Sequence, residues 1–393
     1  MPLVHMKDML EHAHANGYAV PAFDLVSSQF LEAIMAACEE KRAPVILSLA
    51  ESHFEYFDFD LIMPAVVKAA QEASIPVAIH LDHGESLGSV RRGINAGCNG
   101  VMIDASHHPF AENARLTREV VEMAHACGVP VEGELGYVPG VEGEDAEKHP
   151  GEVRYTTVEE ARRFVEETGV DFLAVSIGTV HGRMKGEPKL DFARLADINA
   201  ALGIPLVIHG GTGLTEEQYR RLIENGVSKI NYYTALADAA AARMRENAAD
   251  AGAQGFTALL KGVRAAIAAE CARMIDMWGA ANRADALLAH CRPWREVAHV
   301  IIYNVEGLDE AGAAALRAKG REVLSKIPGV RAVETGVAVY PEQPKYHYCW
   351  LIRFASREVI PSYMHHPEHV RYADEHFRPV AGDRITTDFE LDE

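Results

Sequence analysis

One hydrophobic pattern recurs along the first 235 residues. An amphipathic stretch closes in glycine, and a short apolar run follows within a few residues. The junctions read HANG-YAVPAF ending at Phe23, NAG-CNGVMIDAS ending at Ser106, ACGVPVEGELG, ETGVDFLAVSIGT, ALGIPLVIHGG and ENGVSKINYYT. Glycine at such a junction supplies the left-handed conformation that ends a helix. Two more apolar runs, VILSLA and VAIHLDH, follow Ala43-Pro44 and Ile75-Pro76, which brings the total to eight. Several runs lack a polar/apolar alternation, as strands covered on both faces do. The segments between them, at 60–73, 110–127, 157–168, 191–202, 215–225 and 235–249, carry helical periodicity. Alternating strands and helices predict an α/β fold with a parallel sheet, and eight units in this length match a closed (β/α)₈ (TIM) barrel. A doubly wound open sheet is the alternative, but it brings a Gly-rich first turn that is missing here.

Residues 256–290 read as helix without strand and are expected outside the barrel. After Pro293 the pattern changes. AHVIIYNV, VRAVETGVAV, YHYCWLIRF and RITTDFEL read as strands, alternating with helical stretches at 309–326 and about 356–377. That β-α-β-β-α-β order predicts a small α+β ferredoxin-like domain. The expected division is therefore 1–292 for the barrel with its trailing helices and 293–393 for the second domain.

Composition narrows the partners. Of 393 residues 48% are apolar, enough for a sizeable core, and 24% are charged. A net charge of −19 argues against nucleic acid, which needs a basic face. It leaves room for a phosphorylated small molecule held by backbone N–H groups. The six cysteines form no CxxC pair and read as free thiols in a reducing compartment. MPLVHMKDMLEHAHANG lacks the apolar core of a signal peptide, and no run of ~18 apolar residues suits a membrane span. The expectation is a cytoplasmic protein with no membrane partner.

In a (β/α)₈ barrel, function collects at the C-terminal ends of the strands. Here the third run ends in Asp82-His83, the fourth near Asp104 and the fifth at Glu134; His181 follows the sixth, His209 the seventh and Asn231 the eighth. Three imidazoles at equivalent strand ends suggest one divalent metal, with zinc the expected ion and a position left open for substrate. Such a metal could polarise a carbonyl. Asp82 reads as a general acid/base in preference to a carboxylate that merely orients His83. Neighbouring strand residues point to opposite faces, so the two should diverge unless the strand has ended. Asp104 and Glu134 could form a second cation site, divalent or monovalent, or could hydrogen-bond to the histidines. The Gly-rich HGGTGL at 209–214 reads as a phosphate cradle opening the next helix, with Asn231 to Thr234 as its second half. The acidic Gly/Pro-rich segment after the fifth run, YVPGVEGEDAEKHPGE, reads as a lid with Glu142 as candidate acid/base.

These residues resemble the metal-dependent class II aldolases, the family of fructose- and tagatose-bisphosphate aldolases, over roughly residues 3–290. The carriers are LDHG at 81–84, VMIDAS at 101–106, VEGELG at 131–136, IGTVHG at 177–182, KGEPKLDF at 185–192, HGGTGL at 209–214 and KIN at 229–231. The resemblance implies that His83, His181 and His209 bind the catalytic zinc, and that Asp82 moves the proton of the C4 hydroxyl. It implies a second metal site at Asp104 and Glu134. Gly182, Gly210, Gly211, Thr212, Asn231 and Thr234 would hold dihydroxyacetone phosphate, and Glu142 would move the C3 proton. The implied reaction is reversible aldol cleavage of a ketose (bis)phosphate through a metal-bound enediolate. Three departures fall in the sugar-facing shell. Asp24 stands where members usually carry Asn, Ala50 where a hydroxyl residue is common, and Tyr232-Tyr233 where residues are smaller or acidic. A carboxylate at Asp24, counted with the substrate-binding residues, disfavours a nearby phosphate dianion. No sequence feature identifies a clamp for a second phosphate. Two other functions are weighed: a non-catalytic sugar-phosphate-binding or regulatory protein on a retained barrel, and a metal-dependent hydrolase, whose usual HxH pair on the first strand PAFDL lacks.

The C-terminal part, about 296–391, resembles a stress-responsive dimeric α/β barrel domain through HVIIYNV, SYMHHPEHVRYADEHFRPV and TTDFEL. Such domains pair their sheets, which implies a homo-oligomer, dimer or tetramer; a cyclase-like pocket is the alternative. His365, His366, His369 and His376 read as helix-surface and packing residues.

Overall fold

The computed structural model describes residues 2–140, 143–146, 154–183, 188–250, 252, 254–340, 342 and 345–391. The chain divides into two compact units, one made of 1–90, 98–121 and 130–293, the other of 91–97, 122–129 and 294–393.

The first unit is a closed, all-parallel barrel in which each strand pairs with the next and β8 returns to β1. Its strands are β1 (Val20–Asp24), β2 (Val45–Ala50), β3 (Val77–Gly84), β4 (Gly100–Ile103), β5 (Val131–Leu135), β6 (Phe172–Val175), β7 (Leu206–Ile208) and β8 (Val227–Tyr232). Alternating with them along the chain are α1 (Met6–Asn16), α2 (Ser28–Lys41), α3 (Phe59–Glu72), α4 (Leu87–Ala96), α5 (Phe110–His125), α6 (Val158–Thr168), α7 (Phe192–Leu202), α8 (Glu216–Glu224) and α9 (Thr234–Ala249), of which most of α4 and the end of α5 group with the second unit. After them come α10 (Phe256–Leu259), α11 (Val263–Met277) and α12 (Ala284–His290). The doubly wound alternative is thereby excluded. Gly17, Gly169 and Gly203 close α1, α6 and α7 in left-handed geometry, the conformation the junction glycines were expected to supply. Seven of the strands are buried at every position, and β3 at all but His83, because helices cover the outside and side chains fill the lumen. Phe23, Tyr219 and Tyr232 all meet the Trp278 ring at the end of α11, with centroids 5.4–6.0 Å apart. These contacts pin the extra helix to the β8–β1 seam.

Two local expectations change. The helix after β7 does not open on the glycines. It starts at Glu216, because Thr215 and Gln218 form a reciprocal capping box there. The fourth strand ends at Ile103 and not at Ser106. The Asp104 carboxylate accepts from both N–H and Oγ of Ser106 and turns the chain out of the sheet.

The second unit contains a four-stranded antiparallel sheet in the order β10-β11-β9-β12, with β9 (Val297–Val305), β10 (Val330–Val337), β11 (Tyr348–Phe354) and β12 (Ala381–Glu390). The crossovers run through α13 (Glu310–Leu324) and a broken segment of α14 (Val359–His365), α15 (Pro367–Tyr372) and a π turn at Ala373–Phe377. This is the ferredoxin-like order. Pro367 at the start of α15, with His366 as its cap, explains why 356–377 is not one helix. Among the described residues, no helix is long and apolar enough to cross a membrane.

Candidate active site

The site begins with strand alternation. Side chains two apart on one strand face the same way. His80 and Asp82 on β3, Glu132 and Glu134 on β5, and Lys229 and Asn231 on β8 are all buried, an unusual set for a barrel interior. They converge in hydrogen bonds. Lys229 Nζ donates to Glu132 Oε2 at 2.7 Å, and His209 Nε2–H to Glu132 Oε1 at 2.9 Å. Asn231 Nδ2 lies 3.0 and 2.9 Å from the two Asp82 oxygens. His80 Nε2 sits 3.6 Å from Glu132 and 3.8 Å from Asp82.

Asp82 and His83 do not diverge as plain strand residues would. The register of β3 against β4 shifts between Leu81 and Gly84, and His83 adopts a left-handed φ of 45°. This bulge turns both side chains to the mouth, with His83 Nε2 3.8 Å from Asp82 Oδ2. Gly84 is part of the device, since a Cβ there would stand 2.6 Å from the Met102 carbonyl oxygen.

His83, His181 and His209 come together, with ring centroids 4.6–5.7 Å apart. One ligand atom from each lies within 4.8 Å of the others. Each ring has one nitrogen already engaged: His83 Nδ1 with Asp104 Oδ2 at 2.8 Å, His181 Nδ1 with the Val138 carbonyl at 3.1 Å, and His209 Nε2 with Glu132. The other nitrogen of each ring, Nε2 of His83 and His181 and Nδ1 of His209, could ligate an ion, each ring being held by a backing acceptor as metal-binding histidines generally are. His209 Nδ1 and Glu134 Oε2, both buried, face each other at 3.3 Å as an ion pair that lacks hydrogen-bond geometry. A cation beside them would satisfy both atoms more fully.

The electrostatics agree. Burial works against charge on His83 and His209. On His83 the Asp82 charge and the Asp104 hydrogen bond outweigh it, and the ring stays well above its ordinary value. On His209 the Glu132 and Glu134 carboxylates do the same and raise it to about 9. The carboxylates thus demand positive charge where a divalent ion would supply it. His181, by contrast, is pushed down to about 3 by burial and by the neighbouring rings. Burial also opposes ionisation of Asp82 and Asp104, yet His83 beside them holds both well below the usual carboxylate range. The donor set fits a metal such as zinc. A second group, His83, Asp104 and Glu134, could also hold an ion, so Asp104 both hydrogen-bonds to a histidine and belongs to a possible cation site. Among the described residues, all such groups lie in the barrel.

The remaining expected residues that the structure describes lie at strand ends and in the turns that follow them. Asp24 ends β1 beside Ser48 and is 1% exposed. Gly182 and Gly210 have positive φ, and Gly211 packs on Ile230. Thr212 lies in the β7–α8 turn, ahead of the capped helix. Thr234 is the first residue of the 16-residue α9, whose cap residue Tyr233 makes no side-chain cap bond, and Thr234 Oγ1 accepts from Gly143 N–H at 3.0 Å. Asn231 reaches Asp82. Glu142 and residues 185–187 of KGEPKLDF lie outside the described residues. His80, Glu132 and Lys229 were not among the expected site residues, although each precedes one of them by two positions, the spacing of one strand face.

Fold and site together define a (β/α)₈-barrel protein with a candidate metal centre at its strand ends. The family model for Fructose-bisphosphate aldolase class-II matches residues 4–283, and that for the Stress responsive A/B Barrel Domain matches 297–391. This chain belongs to the class-II fructose-bisphosphate aldolase family, with the stress-responsive domain at its C-terminal end. The fructose-bisphosphate aldolase of Geobacillus stearothermophilus is 48% identical over 238 residues, covering 60% of this chain and 82% of that one. The crystal structure of the YdjI aldolase from Escherichia coli K12 is 34% identical with a TM-score of 0.65, covering 72% of this chain and 99% of that one. Fructose-bisphosphate aldolase from Campylobacter jejuni, at 21% identity and a TM-score of 0.59 over 71% of this chain and 96% of that one, shares the fold.

Proposed function

We propose that the barrel is a zinc-dependent lyase that reversibly cleaves a ketose phosphate into dihydroxyacetone phosphate and an aldehyde. The observation that carries this is the meeting of three backed imidazoles with the ionised, aimed carboxylate of Asp82. His83, His181 and His209 would hold zinc, which would supply Lewis acidity toward a carbonyl oxygen. Asp82 takes the proton of the C4 hydroxyl, and the C4–O bond becomes the aldehyde carbonyl. The electron pair of the C3–C4 bond passes to the three-carbon fragment, which takes up one proton at C3, with Glu142 the proposed donor. Asn231 fixes the carboxylate of Asp82 for its step. Gly182, Gly210, Gly211 and Thr212 offer backbone N–H groups to the phosphate, and the start of α9 at Thr234 adds its dipole. Asp104 and Glu134 are the candidates for a second cation.

The test is His209→Ala, expected to remove bound metal and lyase activity together. Full activity in a metal-free variant would refute the proposal. Absence of C3 proton exchange on dihydroxyacetone phosphate would favour the non-catalytic sugar-phosphate-binding alternative.

The chain is further proposed to form a homo-oligomer through the C-terminal sheet. On β11 the buried Trp350, Ile352 and Phe354 alternate with half-buried Cys349, Leu351 and Arg353. On β12 the apolar Ile385 and Phe389 are about half exposed. An apolar sheet face of this kind suits a second copy; a monomeric mass by light scattering would refute it. The six cysteines, all free and five of them buried, support the cytoplasm as the compartment.

A further inference from the structure

The described parts of the loops after β5 and β6 are knitted together. The β5 loop starts by backing His181. The His181 N–H donates to the Pro139 carbonyl at 2.8 Å, and its Nδ1 meets the Val138 carbonyl at 3.1 Å. Gly140, with positive φ, packs so closely on the His181 backbone that no Cβ would fit. Farther along, Gly143 N–H donates to Thr234 Oγ1 at the start of α9, at 3.0 Å. Asp145 then forms a parallel bridge with Arg183. Arg183 N–H donates to the Glu144 carbonyl at 2.7 Å, and Ala146 N–H to the Arg183 carbonyl at 3.0 Å.

The Arg183 side chain closes the arrangement. Its Nε donates to Asp238 Oδ2 at 2.8 Å and its Nη2 to Asp238 Oδ1, while Nη1 donates to Asp145 Oδ1 at 3.4 Å. Asp238 stands one turn beyond Thr234, so the two anchor points lie on one face of α9. The Arg183 side chain is 40% exposed, and a single exposed ion pair contributes little. Bidentate geometry within a network of charges is the exception, and Arg183 has both. The same residue also gives its backbone N–H and carbonyl to the loop it holds.

We infer that Arg183 is a positioning residue that ties the loop after β5 to α9, so that Gly143 fixes the Thr234 side chain at the start of that helix. The consequence for catalysis rests on the aldolase reading proposed above, which brings the phosphate to Thr234. The tie itself does not depend on that reading.

Amide hydrogen exchange of the zinc-loaded full chain reads the tie directly. Arg183→Met and Asp238→Asn are each expected to speed exchange about tenfold at residues 143–146 while β5 exchanges as before. Exchange at the wild-type rate in either variant overturns the tie. Proton exchange at C3 of dihydroxyacetone phosphate reads its consequence. In Arg183→Met the KM for that exchange should rise about tenfold, with zinc content, measured by metal analysis, at the wild-type level. Arg183→Lys keeps the charge without the planar fork and should lie between Arg183→Met and the wild type. An unchanged KM in Arg183→Met, whatever becomes of kcat, overturns the positioning role. No C3 exchange in the wild-type protein overturns the aldolase reading, and amide exchange then decides the tie by itself.

Discussion

Lys229→Met is the most informative single change in the barrel. Lys229 and Glu132 are each 0% exposed, and their charges stand 2.7 Å apart. Methionine approximates the lysine stem in shape, so the substitution deletes the ammonium while leaving little cavity. Glu132 then keeps only the His209 hydrogen bond and remains as an under-compensated charge away from water. Removing one partner of a buried ion pair costs about 3–5 kcal/mol. At about 2 °C per kcal/mol for a large domain, the barrel should melt about 6–10 °C lower. Lys229→Met combined with Glu132→Gln removes the stranded charge and retains an acceptor for His209. The double variant should therefore be more stable than the sum of the two single losses by about 1–3 kcal/mol. Scanning calorimetry of the four proteins measures this cycle. A drop below 2 °C in Lys229→Met, or strict additivity in the double variant, would refute the view that Lys229 neutralises Glu132 beneath the site.

Asp82→Asn should lower kcat about 10²–10⁴-fold while bound zinc, measured by metal analysis, stays at wild-type level; parallel loss of zinc would make Asp82 a structural residue. Gly210→Ala should weaken binding of dihydroxyacetone phosphate, because φ is +68° there and an added Cβ would collide with the Val180 carbonyl; calorimetric affinity equal to wild type would contradict it. Burial, opposed by the Asp82 charge, pushes His53 down to about 4. From about pH 6.5 down to 4 the unfolded chain binds a proton there that the folded chain refuses, so stability falls as pH drops through that window, by about 3 kcal/mol in all. His53→Phe should flatten the fall in barrel melting temperature between those pH values; a slope equal to wild type would show that other groups dominate.

By itself the sequence determined the architecture. Glycine-closed helices followed by uninterrupted apolar runs admit few arrangements other than a parallel barrel, since such runs need cover on both faces. The reversal of pattern after Pro293 likewise announced the ferredoxin-like sheet. The sequence also placed titratable residues at strand ends, because the local repeat shows where each strand stops. What it could not contain was geometry that arises between strands. The bulge at His83 turns Asp82 and His83 to one site although strand periodicity sends them apart, and it depends on the close approach of Gly84 to Met102 on β4. Only closure of the barrel brings Lys229 to Glu132, 97 residues away, and sets Asn231 against Asp82 across 149. The same closure decides which nitrogen of each histidine faces the other two rings, since Asp104, Val138 and Glu132 engage the others. Burial makes these contacts matter, because a charge excluded from water must be paired by whatever the fold places beside it.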